Sequence, residues 1–145
     1  MTDSSLVYAL NRLAKLRARA AEQLLQRDSL TFDQWLALEA VALTRGRDAG
    51  LTMAEIQQAT QVSGPTLTRV VDKLVLRALL YREVDSVDRR KVRVHLSPRG
   101  GELHARVAAE LRAAEADWLR DAELDTEMRQ AVARLGELLH PGTIR

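Results

Sequence analysis

No cysteine occurs among the 145 residues. That absence excludes disulfide scaffolds, thiolate nucleophiles, cysteine redox switches and cysteine-ligated zinc together. There is no low-complexity tract and no internal repeat. Nor does any stretch approach the roughly 18 apolar residues a membrane helix requires. Met1 to Asn11 lacks the basic start and apolar run of a secretion signal, so the cytoplasm is the expected location. A Gly-rich phosphate loop, Gly-x-Ser-x-Gly and His-Glu-x-x-His are all missing, and no two histidines have metal-ligand spacing. The chain is therefore expected to be no enzyme, to need no cofactor and to bind no metal. What is present is 46% apolar and 29% charged residues, enough for a core and too balanced in sign for wholesale disorder.

The charge is uneven along the chain. Residues 1–62 sum to zero, residues 63–99 to +5 and residues 100–140 to −4. A basic island inside a neutral-to-acidic protein is the distribution expected when one face meets a polyanion, and nucleic acid is the leading partner.

Helical periodicity dominates. Leu6, Leu10, Leu13, Arg17, Ala20 and Leu24 recur at spacings of three and four, which predicts one amphipathic helix from Ser4 to Gln26. Thr31 followed by Gln34 is a capping box opening a helix to about Thr44, broken by Arg45 to Gly50. Thr52 with Glu55 repeats the pattern for a short helix to about Thr60. Ser63 then serves as the next N-cap, with Pro65 in the first turn, where its missing N–H costs nothing. Leu67, Val70, Val71 and Leu74 face a core at i, i+3, i+4 and i+7. Pro65, Thr66, Arg69 and Lys73 are left on the opposite side.

After Ala78 the period changes to 2. Leu80 to Val84 reads as one strand; Val92, Val94 and Leu96, alternating with Lys91, Arg93 and His95, read as a second. The charged turn Asp85 to Arg90 joins them in a basic hairpin. Ser97-Pro98 starts a helix of about twenty residues marked by Leu103, Val107, Leu111, Ala114 and Trp118. Leu124, Met128, Ala131, Leu135 and Leu139 mark a last one, ended by Pro141-Gly142.

Two short helices followed by a hairpin make a winged helix-turn-helix. The fold class expected is mainly α with a small β-wing. A winged helix-turn-helix over residues 30–100 is flanked by a helical dimerisation region, residues 1–29 and 101–145. B-DNA's major groove admits one helix, so Ser63, Gly64, Pro65, Thr66, Thr68, Arg69 and Lys73 are the candidate groove contacts. Arg89, Arg90 and Lys91 on the wing suit the negative minor groove or flanking phosphates. A carboxylate beside DNA is costly unless paired, and Asp88 is read as a fork that fixes one wing arginine.

Leu30-Thr31-Phe32-Asp33-Gln34-Trp35, Leu51-Thr52-Met53-Ala54-Glu55-Ile56, Val62 to Leu74, and Asp85-Ser86-Val87-Asp88-Arg89-Arg90 leading to Leu96-Ser97-Pro98-Arg99-Gly100 together resemble the MarR family of bacterial transcription regulators. The resemblance covers about Leu30 to Gly100. It implies a homodimer with interlocked terminal helices on a pseudo-palindromic operator. Such a protein is usually a repressor released by a small, often aromatic or phenolic, ligand. It also implies that Arg90 enters the minor groove and that Asp88 braces it. One departure stands out: the family usually has Gly where this chain has Ala78, at a left-handed turn that strains alanine.

Dimerisation has a separate argument, because the stripes of the terminal helices exceed what a small winged domain can cover. Trp35 and Trp118 are expected as core or interface anchors. His95 is expected on the outward side of the wing strand, either touching phosphate or merely exposed, and His104 and His140 facing solvent or an interface. Tyr8, Tyr81, Trp35 and Arg17 could contribute to an effector cavity, although ordinary packing accounts for each. The competing reading is a winged-helix module for protein contact, in which the basic hairpin meets an acidic partner.

Overall fold

A computed structural model describes residues 4–44 and 50–139. The expected break at Arg45 to Ala49, the Pro141-Gly142 stop and His140 lie outside them. Helix α1 (Leu6–Leu25) runs into a single 3-10 turn at Gln26–Asp28 and is followed by α2 (Phe32–Leu43). Strand β1 (Leu51–Thr52), helices α3 (Met53–Thr60) and α4 (Gly64–Leu76), strands β2 (Leu80–Val84) and β3 (Val92–Leu96), and helices α5 (Pro98–Trp118) and α6 (Ala122–Leu138) complete the order. The expected mainly helical fold with a small β-wing is what forms. By contacts the chain divides into two compact units, residues 1–109 and 110–145.

In the first unit, α2 is the central helix, with Trp35, Ala37, Leu38, Ala40 and Val41 all buried. The capping box at Thr31 forms in both halves: the Gln34 N–H donates to the Thr31 hydroxyl at 3.1 Å, and the Thr31 N–H donates to Gln34 Oε1 at 3.0 Å. Leu67, Val70, Val71 and Leu74 of α4 pack into the same core as Ile56 of α3, Leu79, Leu80 and Val94. Each such side chain contributes about 1.5–3 kcal/mol by leaving water. The turn between α3 and α4 is tight, with Gln61 left-handed at φ +57° and Val62 buried behind it.

The sheet has three strands in the order β1-β3-β2, both pairings antiparallel. The two-stranded hairpin expected from sequence thus gains a third strand, with Leu51 opposite Val94 and Thr52 opposite Arg93. Two residues carry no periodicity, so β1 is invisible to a pattern search. Gly50 makes the entry possible. It sits at φ +61°, and a Cβ there would lie 2.7 Å from the Val94 carbonyl oxygen.

Helix α4 ends in a Schellman motif: the Ala78 N–H donates to Val75 O and the Leu79 N–H to Leu74 O. Ala78 takes the left-handed position at φ +57°, where glycine would be unstrained. The start of α5 is clamped onto this exit. The Ser97 hydroxyl donates to Ala78 O at 2.6 Å and accepts from the Gly100 N–H at 2.9 Å. Gly100 lies so close that a Cβ would sit 1.9 Å from the Leu79 carbonyl oxygen.

In the second unit, α6 is capped by Asp121, whose carboxylate accepts from the Glu123 and Leu124 N–H groups. Arg129 pairs with Asp125 at 2.8 Å and with Glu115 at 3.5 Å.

Candidate nucleic-acid interface

Helix α4 presents two chemically distinct sides. Its apolar stripe is buried, while Pro65, Thr68, Arg69, Asp72 and Lys73 are exposed. At its start Ser63 occupies the N-cap, but its hydroxyl donates to the Thr66 hydroxyl at 3.0 Å instead of capping an amide, contrary to its expected capping role. The first-turn amides of α4 therefore keep their capacity for an outside acceptor. The Thr68 hydroxyl turns back to Gly64 O at 3.1 Å. Asp72, the one acid on this face, is engaged by Arg82 of β2. Among the described residues no carboxylate pairs with Arg69 or Lys73.

The wing turn is built by a residue that stands in the sequence motif with no role assigned to it. Asp85 closes the turn, one carboxylate oxygen accepting from the Val87 N–H at 2.8 Å and the Asp88 N–H at 3.1 Å. The other accepts from Arg93 Nε at 2.5 Å. These three bonds hold the Asp85 pKa down at about 2, with the Arg93 guanidinium as the largest cause. Arg93 also lies 3.9 Å from Glu55 on α3, tying the wing base to the helix-turn-helix. The legible signal was an Asp at a strand end before a Ser-Val-Asp turn, the setting of an Asx turn.

Beyond this base the hairpin tip projects its charge. Asp88 accepts from the Arg90 N–H at 3.1 Å and from Arg90 Nε at 3.3 Å through the same oxygen. That is a single-point contact, where a two-pronged fork was expected. It leaves the terminal guanidinium nitrogens of Arg90 outward, with the side chain 93% exposed. Arg89 and Lys91 are exposed beside it. Helix and tip thus gather five outward cations, Arg69, Lys73, Arg89, Arg90 and Lys91, on two projections joined through one sheet.

His95 and His104 are more engaged than expected. His95 stacks on Tyr81 with ring centroids 5.1 Å apart and lies 3.3 Å from Glu83, its side chain only 15% exposed. It is a packing residue of the sheet, not a free phosphate contact, because the pleat and the Gly50 backbone cover it. His104 stacks on Trp35 at 5.0 Å and its Nε2 meets Glu39 Oε2 at 2.5 Å. It pins α5 to α2 and does not face solvent. Trp35 is buried as expected. Trp118 remains 38% exposed. Tyr81 and Trp35 are each taken up by a histidine ring, so the residues considered for an effector cavity are not shown assembling one.

Among the described residues no group of acids and histidines could hold a metal ion, and no helix is long and apolar enough to cross a membrane. Residues 28–91, which contain the helix-turn-helix and the wing turn, match the sequence profile of the MarR family. Over that stretch the chain is similar to the MarR family. Members of the MarR family are transcription regulators and not enzymes.

Among curated proteins no relative matches the chain. Solved structures share its fold at low identity. CouR from Rhodococcus jostii, solved bound to p-coumaroyl-CoA, is 20% identical with a TM-score of 0.81, covering 98% of this chain and 96% of its own. MepR from Staphylococcus aureus, solved in complex with DNA, is 23% identical with a TM-score of 0.73, covering 94% and 100%. BpsR from Bordetella bronchiseptica, whose DNA binding is regulated by 6-hydroxynicotinic acid, is 21% identical with a TM-score of 0.72, covering 94% and 96%.

Proposed function

We propose that this protein is a homodimeric repressor that binds a pseudo-palindromic operator and is released by a small aromatic acid or phenol. In this reading residues 30–100 bind DNA, and residues 1–29 and 101–145 pair the two copies. The observation that carries it is the outward Arg90, held at its base by Asp88 on a hairpin braced to α3, beside the polar face of α4. A side chain so presented can enter a minor groove while α4 lies in the adjoining major groove. Ser63, Gly64, Pro65, Thr66, Thr68, Arg69 and Lys73 then read bases or position the helix on phosphates. Arg89 and Lys91 contact the flanking backbone.

Gly64 supports the same reading. A Cβ there would meet nothing nearer than Gln57 Oε1 at 3.7 Å, an ordinary contact, so the protein's own packing does not require glycine. In this reading the glycine leaves room for close approach of the DNA backbone. The effector half of the proposal leans on CouR and BpsR, the first solved with a hydroxyaryl thioester and the second regulated by a hydroxylated aromatic acid.

The test is fluorescence anisotropy on inverted-repeat duplexes, selected from the DNA flanking the coding region, against scrambled duplex at several salt concentrations. Arg90→Ala is expected to weaken binding to all sequences and to lower the salt slope by about one. Changes at Thr66 or Arg69 should cost about 1–3 kcal/mol at particular base pairs. Unchanged affinity of the Arg90→Ala protein would remove the wing from the interface. Operator release by small aromatic acids tests the effector, and uniform failure across such a panel would reject that half.

A further inference from the structure

A second concentration of positive charge lies away from the base-reading end of α4. Arg27 in the 3-10 turn, Arg77 at the α4 exit, and Arg99 and Arg106 in the first turns of α5 line one cleft of about 630 Å3 with Asp28 and Glu102. Four guanidinium groups against two carboxylates leave an excess of two positive charges. The thirteen residues of α4 separate this cleft from Ser63 by about 20 Å, at 1.5 Å per residue.

The four arginines are not equivalent. Arg77 is held by backbone, donating to Asp28 O at 2.7 Å and Ser29 O at 3.0 Å, so its charge is fixed in place by carbonyl oxygens. Arg106 is fixed as a two-pronged pair on the Asp28 carboxylate, at 2.6 and 3.2 Å. Asp28 is lowered in pKa chiefly by that bond, with Arg77 and Arg27 adding to the field. Arg27 and Arg99 are exposed, and among the described residues no carboxylate pairs with either. The forks of Arg77 and Arg106 are thus already engaged and supply fixed positive charge, while the exposed guanidinium groups of Arg27 and Arg99 are the ones able to swing onto an anion. Planar forks of this kind match the oxygens of a phosphate, and charge already fixed in place lowers the ordering cost of binding.

We infer that this cleft binds a small phosphate-bearing anion of two or more negative charges, the size of a pyrophosphate group. Because it joins the end of α1, the exit of α4 and the start of α5, an occupant would stiffen the root of the proposed recognition helix. The site is separate from the operator contacts, and its test does not depend on them.

Isothermal titration of the full chain with inorganic pyrophosphate in low-salt buffer is the experiment. Saturable binding of one anion per chain is expected. The Arg27→Gln/Arg99→Gln double variant should bind about tenfold or more weakly, a loss of 1.4 kcal/mol per decade. The Arg89→Gln/Arg90→Gln wing variant should bind as the parent does. Glu102→Gln removes an acid from the cleft lining and should tighten binding several-fold, a gain that a folding defect cannot imitate. Absence of saturable binding overturns the inference, as does binding abolished by the wing variant and kept by the cleft variant. Weaker duplex binding with a reduced salt slope in the Arg27→Gln/Arg99→Gln protein would instead make the cleft a DNA-backbone contact, and would equally overturn it.

Discussion

Helix α4 and helix α1 carry the same kind of apolar stripe and meet opposite fates. In α4 the stripe is covered within the chain, with Val71 and Leu74 at 0% exposure. In α1 only Leu25 is buried, while Leu6, Val7, Tyr8, Leu10, Leu13 and Leu16 all stay exposed. Among the described side chains of helix α6 none is buried, and Leu124, Val132 and Leu138 are exposed on it. Periodicity reports that a face avoids water; it does not report which surface covers it. For α4 the cover is α2, α3 and the sheet. For each terminal helix the proposed cover is a second copy of the chain, since large apolar side chains left exposed along one helix mark an interaction site.

The largest expected effect strikes the covered side. Gly100→Ala drives a methyl group into the Leu79 carbonyl, where neither helix end can yield without opening the Ser97 clamp. A loss of about 3 kcal/mol in urea unfolding is expected, at the top of the usual overpacking range. On the uncovered side, Leu10→Asp/Leu13→Asp should raise the dimer dissociation constant about a hundredfold, at 1.4 kcal/mol per decade, while leaving the α2–α4 core folded. Sedimentation with circular dichroism separates the two outcomes. A parent chain that is already monomeric would break the comparison.

The wing offers a milder lever through pH. The Asp85 carboxylate is depressed in the folded chain, so its contribution to hairpin order is complete above about pH 4. It is lost as pH falls through about 2. Amide exchange at Val87 and Asp88 should follow that window in the parent and lose it in Asp85→Asn. Smallest are two opposite glycine exchanges on α4. Ala78→Gly relieves a left-handed alanine and should stabilise by about 0.5–1 kcal/mol, the αL penalty less the added unfolded-state entropy. Gly64→Ala should gain at most a similar amount in stability yet weaken duplex binding. If it left duplex affinity unchanged, Gly64 would lose its place at the interface.

Much of the fold was legible because it is written locally. The Thr31 capping box, the buried face of α4, the change of period at Leu80 and the Ser97-Pro98 start each depend on residues within four positions of one another. The wing turn was legible as a charged hairpin, but its internal wiring was not. Asp85 and Arg93 stand eight positions apart and meet only because β2 and β3 pair in the observed register. The missed partners of His95 and His104 share a cause: alternation placed His95 outward, and His104 was expected to face solvent or an interface. Neither expectation can register Tyr81 across the strand pair or Glu39 from sixty-five positions away.

From the order of its residues alone, the chain specified its helices, most of its caps, the basic middle quarter and its resemblance to the MarR family, since all of these rest on neighbours along the backbone. Folding in three dimensions decided which apolar stripes find cover, which acids hold which arginines, and which cations remain outward. Those outcomes depend on distances between segments remote in sequence, and only the packed arrangement sets them.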